Sequence, residues 1–348
     1  MRALKIDENR RLHIAESPQQ ELPPGWLRVA VAYCAICGSD LHLREMPGVA
    51  GEGAVLGHEI SGVIREVGSD LEGKWEPGDR VVVWPKDGCG ECAVCQAGDN
   101  QMCQVEPWNE TSMGLGTRPG AYAEEVLAPA HAVYPVPDTL PLREACLTEP
   151  LSCCLHAIER ADIGPDDTVV VVGGGVIGYL TAHALKSLGN SRHIVTEPLA
   201  LRRERLRRTG ITAVDVPEDP AQLTAELGSE PTVAIECVGS PTALAEAVRL
   251  VRPGGRVLAM GVSEHPLRLE SVPLVTKEVT VIGSYAQNRP AFERALSLLA
   301  ARSIPVADII TTVVPLDDSV NTVMSQLTTG HGSHQVVLIN PQHPHTLP

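Results

Sequence analysis

The stretch Val169-Val170-Val171-Val172-Gly173-Gly174-Gly175-Val176-Ile177-Gly178 decides the fold. Four consecutive valines read as a strand buried on both faces. The residues that follow fit G-x-G-x-x-G and run into a helix. Gly173 serves the tight turn, Gly175 lets the backbone approach a pyrophosphate, and Gly178 lets the helix pack against the strand. The N–H groups of the first helical turn, at Val176 and Ile177, then face the phosphates. Glu197 follows Gly178 by 19 residues, at the end of the next expected strand. A carboxylate there can hydrogen-bond both hydroxyls of an adenosine ribose; the alternative is a surface cap before Pro198. A glycine motif alone is weak, but this one has its strand and its helix on either side.

Outward from it, strand and helix alternate over 168–172, 176–188, 193–196, 201–209, 233–237, 243–251 and 256–260, the pattern of a parallel sheet covered by helices on both faces. Residues 1 to about 135 are different. Short apolar runs such as Leu27-Arg28-Val29-Ala30-Val31 and Arg80-Val81-Val82-Val83 alternate with Gly and Pro turns, so this region is mostly β. A helix over 144–161 bridges the two regions, and a helix over 291–301 leads to short strands ending at 335–339. The expected topology is an insertion: a catalytic domain from 1–150 and 287–348, and a dinucleotide-binding domain from 151–286.

At 348 residues the chain suits two domains. Its net charge of −15 argues against nucleic acid or an anionic membrane as partner. The run Arg202-Arg203-Glu204-Arg205-Leu206-Arg207-Arg208 reads as a solvated helix face. The apolar stretch 168–185 carries four glycines and His183, which fits a buried strand and helix better than a membrane span. No secretory leader is visible at the N-terminus, so a cytoplasmic location is expected.

Cys89, Cys92, Cys95 and Cys103 form a C-x2-C-x2-C-x7-C spacing. Four thiolates at such spacing suit one closed, structural zinc, which would hold a long loop in shape; the alternative is two disulfides. Cys37-Gly38-Ser39-Asp40-Leu41-His42 and Gly57-His58-Glu59 offer a thiolate, an imidazole and a carboxylate. With Glu149, they make a ligand set for a zinc that keeps a position for water or substrate. Singly, each has a plainer reading: a buried thiol, a core histidine, a surface acid.

In these motifs and their order, continued by Glu149-Pro150-Leu151-Ser152 and Arg252-Pro253-Gly254-Gly255-Arg256, the chain resembles the zinc-dependent medium-chain alcohol dehydrogenases, most closely the polyol and threonine dehydrogenase branch. The resemblance implies an α/β fold with a GroES-like, mostly-β catalytic domain and a doubly wound Rossmann cofactor domain. It implies Cys37 and His58 as ligands of a catalytic zinc, with Glu59 or Glu149 as the third. Glu149 stands where the ethanol-type branch has a cysteine. Ser39 would receive the substrate proton and His42 would pass it to solvent. Cofactor contacts are expected at Gly173, Gly175, Val176, Ile177, Gly178, Glu197, Arg202, Val238, Gly261, Val262 and Ser284. Two zinc ions per chain, NAD, a small alcohol or ketone substrate, and a homodimer or homotetramer follow. Many sugar-alcohol enzymes of this branch carry an Arg-aromatic pair just past the sixth strand, whereas this chain reads Gly283-Ser284-Tyr285-Ala286 there.

The expected activity is hydride transfer between NAD and a secondary alcohol of a polyol, sugar, cyclitol or amino alcohol. Two other readings use the same fold. A zinc-independent enone or quinone reductase would lack the ligand set and the cysteine loop. A non-catalytic, redox-sensing binding module would lack part of the zinc or proton-relay residues.

Overall fold

The computed structural model describes residues 1–342 except 47, 72, 106–111, 116–117, 264, 268 and 330–333. Chain contacts divide it into two units, Met1–Glu149 with Gln287–Arg302 and Ile310–Pro348, and Pro150–Ala286 with Ser303–Ile309. The returning segment expected over 287–348 is thus interrupted. Its piece Ser303–Ile309 joins the second unit, where Tyr179 Oη donates to the Pro305 carbonyl at 3.0 Å.

The second unit is built on six parallel strands in the order Ala213–Val214, His193–Thr196, Val169–Val172, Val233–Glu236, Arg256–Ala259, Thr280–Gly283. Numbered along the chain this is 3-2-1-4-5-6, so the direction of winding reverses between Val169–Val172 and Val233–Glu236, where such sheets bind dinucleotides. The valine strand is buried throughout, as a strand covered on both faces must be. At its end Gly173 has φ 98°, and a Cβ on Gly178 would lie 1.8 Å from the Gly173 carbonyl oxygen. Both glycines are therefore fixed by geometry. Below them, Arg256 clasps Asp167 with Nη2 at 2.8 Å from both carboxylate oxygens, tying the start of two strands together.

The first unit carries a seven-stranded sheet, ordered Ile310–Pro315, Val336–Asn340, Trp26–Ala35, Glu59–Val67, Arg80–Val83, Val133–Pro135, with Glu125–Pro129 also paired to Trp26–Ala35. A hairpin, Arg2–Ile6 with Leu12–Glu16, packs into the same apolar core. Arg10, at the hairpin turn, reaches the carbonyls of Leu43 and Ala50 at 3.2 and 2.8 Å. It thereby holds the end of the short helix Gly38–Arg44, which bears Ser39 and His42.

The bridging helix is not continuous over 144–161. It occurs as Leu142–Ala145 and Thr148–Arg160. Pro150 has no N–H to donate to residue 146 and its ring would crowd that carbonyl, so the helix restarts with Pro150 inside a first turn. Thr148 Oγ1 donates to the Ala145 carbonyl at 2.7 Å across the break. Among the described residues no helix is long and apolar enough to cross a membrane.

His183 lies buried on the helix Val176–Ser187. Its Nε2 is 3.0 Å from Thr209 Oγ1 and its ring packs on Tyr179 at 4.5 Å between centroids. Burial, with the charges of Lys186 and His193, pushes its pKa down to about 4. An unfolded histidine titrates near pH ~6.5, so the unfolded chain binds the extra proton and stability falls as pH drops from there toward 4. We expect His183→Leu to lose less melting temperature than the parent between pH 7 and pH 5. Parallel thermal scans check this; equal slopes would contradict it.

Candidate active site

The catalytic corner is assembled by strand register. Trp26–Ala35 runs antiparallel to Glu59–Val67 with Ala35 opposite Glu59. Cys37, just past one strand, is thereby set beside His58 and Glu59 at the start of the next. One ligand atom from each of Cys37, His58 and Glu59 lies within 4.8 Å of the others. Gly57 makes this approach possible: its φ is 99°, and a Cβ there would sit 2.5 Å from the Tyr122 ring and 2.9 Å from Cys34 Sγ.

Asp40 organises the corner although the sequence reading gave it no role. Its carboxylate is fully buried. Oδ2 accepts the Cys37 main-chain N–H at 2.9 Å and the Tyr122 hydroxyl at 2.7 Å. Oδ1 stands 3.5 Å from His58 Nδ1, which leaves the other imidazole nitrogen to face a metal, the usual arrangement of a carboxylate behind a ligating histidine. The C-x2-D spacing within a helix start was the signal available, since it forms a capping box with Cys37.

The electrostatics match a cation. Burial, with the Glu59 charge, pushes the Cys37 thiol up to about 11. Burial and then the charge of Glu149 push the Glu59 carboxyl up to about 8. Burial works against a charged His58, yet the adjacent Asp40 carboxylate raises its pKa. A divalent ion at the same spot would favour the deprotonated thiolate and carboxylate and so offset these shifts. Glu149 opens the helix Thr148–Arg160 and is buried. It acts on Glu59 through its charge but is not in the group of mutually close ligand atoms. Ser39 Oγ is buried with no hydrogen-bond partner among the described residues. His42 shares its helix. Arg44, on the same helix, pairs with Glu45 at 2.9 Å.

The loop thiols of Cys89, Cys92, Cys95 and Cys103 form a second close group within the same 4.8 Å limit. All ten cysteines are free, so this loop is not closed by disulfides. Main-chain N–H groups of Gln104 and Cys95 aim at the Cys92 sulfur and pull its pKa down to about 6. The Cys92 N–H donates to Cys89 Sγ at 3.3 Å. Gly88, at φ 70°, brings the backbone so near Cys95 that a Cβ would lie 2.7 Å from its sulfur. Such a cage suits a closed tetrahedral zinc.

In the other unit, Glu197 sits at the end of His193–Thr196. Its Oε2 accepts the Gly174 N–H at 2.7 Å and its Oε1 the Leu199 N–H at 2.9 Å. The glycine turn and the acid are therefore one structure. Arg202 Nη1 is 3.8 Å from the carboxylate and its Nε is buried without a partner among the described residues. Arg203 turns to the Pro198 carbonyl at 2.7 Å and to Asp215 at 3.2 Å. Val238, Gly261, Val262 and Ser284 lie just past the ends of Val233–Glu236, Arg256–Ala259 and Thr280–Gly283. Val238 and Val262 are exposed, at 51% and 65%, apolar surface that a bound ring would cover. Glu236, not anticipated, accepts the Val238 and Gly239 N–H groups at 2.6 and 2.7 Å and so fixes that loop.

Comparison with known proteins agrees with this geometry. Residues 23–138 match the alcohol dehydrogenase GroES-like domain and residues 176–301 the zinc-binding dehydrogenase domain. A sorbitol dehydrogenase of Halalkalibacterium halodurans is 32% identical, over 89% of this chain and 92% of its own. A 2-dehydro-3-deoxy-L-galactonate 5-dehydrogenase of Pseudoalteromonas atlantica is 30% identical, over 89% and 90%. The structure of an alcohol dehydrogenase of Escherichia coli CFT073 complexed with NADH superposes with a TM-score of 0.86 at 26% identity, over 98% and 99%. The chain therefore belongs to the zinc-dependent alcohol dehydrogenase family, in the branch that holds the polyol dehydrogenases.

Proposed function

We propose that this chain oxidises, reversibly and with NAD, a secondary hydroxyl of a polar small molecule such as a polyol, sugar, cyclitol or amino alcohol. The observation that carries the reading is the convergence of Cys37, His58 and Glu59 within 4.8 Å, beside an unpartnered buried hydroxyl on Ser39. Cys37, His58 and Glu59 would hold a zinc, with Glu149 close enough to tune it, and the cysteine loop would hold a second. When bound, zinc makes a substrate hydroxyl acidic near neutral pH and NAD takes up the hydride.

The chain's own residues do the rest. Ser39 Oγ accepts the alcohol proton and His42 hands it on toward solvent. Asp40 keeps His58 turned so that one imidazole nitrogen stays free for the metal. Glu197 offers its carboxylate to a ribose while anchored on the glycine turn.

The polar substrate class is supported by what the corner contains. Trp84 follows directly on the strand Arg80–Val83, whose last residue Val83 lies opposite Ile60. Trp84 is buried and its indole N–H has no partner among the described residues. Phe292, the single phenylalanine, is spent elsewhere, packed on Tyr134 at 5.3 Å. The relatives named for sorbitol and for a deoxy sugar acid point to the same class. Self-association is supported by the sheet's edge strand Thr280–Gly283 and the neighbouring Val272 and Val275, exposed at 70% and 69%.

Assayed by NADH formation, a panel of sugar alcohols, cyclitols, amino alcohols and simple secondary alcohols should show polar members preferred and ethanol or benzyl alcohol weak. Efficient turnover of long-chain or aromatic alcohols, with no polar member accepted, would overturn the substrate class.

NAD should be favoured over NADP by about 100-fold in kcat/KM, because the Glu197 carboxylate repels a 2′-phosphate. Measuring both cofactors with one substrate decides this. A clear NADP preference would show that Arg202, 3.8 Å away, overrides the acid.

A further inference from the structure

Tyr122 is fully buried, lies far along the chain from every candidate ligand, and touches the support of each. Its hydroxyl donates to Asp40 Oδ2 at 2.7 Å. That same oxygen accepts the Cys37 N–H, and the other oxygen of Asp40 faces His58 Nδ1 at 3.5 Å. Its ring fills the space where a side chain on Gly57 would be, 2.5 Å from a Cβ built there, directly before His58 and Glu59.

We infer that Tyr122 is a positioning residue for the catalytic metal, fixing the Asp40 carboxylate so that Cys37 and His58 present their ligand atoms together. With two donors on Oδ2, the carboxylate cannot rotate to pair both oxygens with His58. It is held with Oδ1 toward the imidazole and Oδ2 toward the Cys37 backbone. Packing alone does not explain the hydroxyl, because a phenylalanine would fill the same volume. The buried oxygen is instead satisfied by the one carboxylate that backs the ligands, and hydrogen bonds to a charged acceptor are the stronger ones. Groups that orient metal ligands in this way alter metal affinity by about 10- to 100-fold when removed. The inference rests on the zinc reading proposed above.

The test is zinc release from purified holoprotein to a chromogenic chelator, for the parent, Tyr122→Phe, Asp40→Asn and the double variant. The phase absent from Cys37→Ser identifies the catalytic equivalent. Tyr122→Phe should release that equivalent at least about tenfold faster and leave the cysteine-loop equivalent unchanged. Because Tyr122 acts through Asp40, the double variant should release zinc no faster than Asp40→Asn alone. Two equivalents in the parent with an unchanged Tyr122→Phe, or equal acceleration of both phases, would overturn the inference alone, as would additive effects in the double variant. A parent with only the cysteine-loop zinc would overturn the zinc reading and this inference with it.

Discussion

Burying a thiol, an imidazole and a carboxylate side by side at the end of a β-sheet is unfavourable unless a positive charge joins them. Cys37, His58 and Glu59 are placed in that way, with Asp40 behind and Glu149 adding a further negative charge. A divalent ion bound by one thiolate and one carboxylate cancels the charge of those two ligands, which lowers the cost of burying them. Much of the first unit serves this corner. Two strands in register bring its halves together, Gly57 yields the space, and Arg10 holds the end of the helix that carries Ser39 and His42.

The second unit is organised around a different charge, that of a dinucleotide phosphate. The glycine turn offers main-chain N–H groups, and the carboxylate of Glu197 accepts one of them from Gly174. The residues proposed for ribose and for phosphate are thereby joined by a direct hydrogen bond. Arg202 stands near enough to soften the acid's charge, 3.8 Å away and short of a close ion pair, so on the proposed reading both residues bear on cofactor choice.

What was legible in the sequence was what is local. The valine strand and its glycines, the cysteine spacing and the neighbouring ligands in Gly57-His58-Glu59 each lie within a short window, and their chemistry demands a fixed spacing. The parallel sheet and the mostly-β region also followed from alternation of pattern. What escaped were residues whose importance exists only after folding. Tyr122 meets Asp40 across 82 residues, and Glu236 looks like any acid at a strand end until its loop closes on it. The break before Thr148 was written in Pro150, but a proline in a first helical turn and one that ends a helix look alike until the flanking hydrogen bonds are known. The joining of Ser303–Ile309 to the second unit depends on contacts such as that between Tyr179 and Pro305, which no spacing rule reports.

On the proposed reading the chain holds two chemically distinct zinc ions, one by four thiolates and one by a single thiolate with nitrogen and oxygen. X-ray absorption at the zinc edge on the purified holoprotein tests it most directly. Two zinc ions per chain are expected, with an averaged shell of about 2.5 sulfur neighbours per zinc at roughly 2.3 Å and lighter ligands near about 2.0 to 2.1 Å making up the remainder. One zinc per chain with a shell of four sulfurs would contradict it, because the corner of Cys37, His58 and Glu59 would then hold no metal.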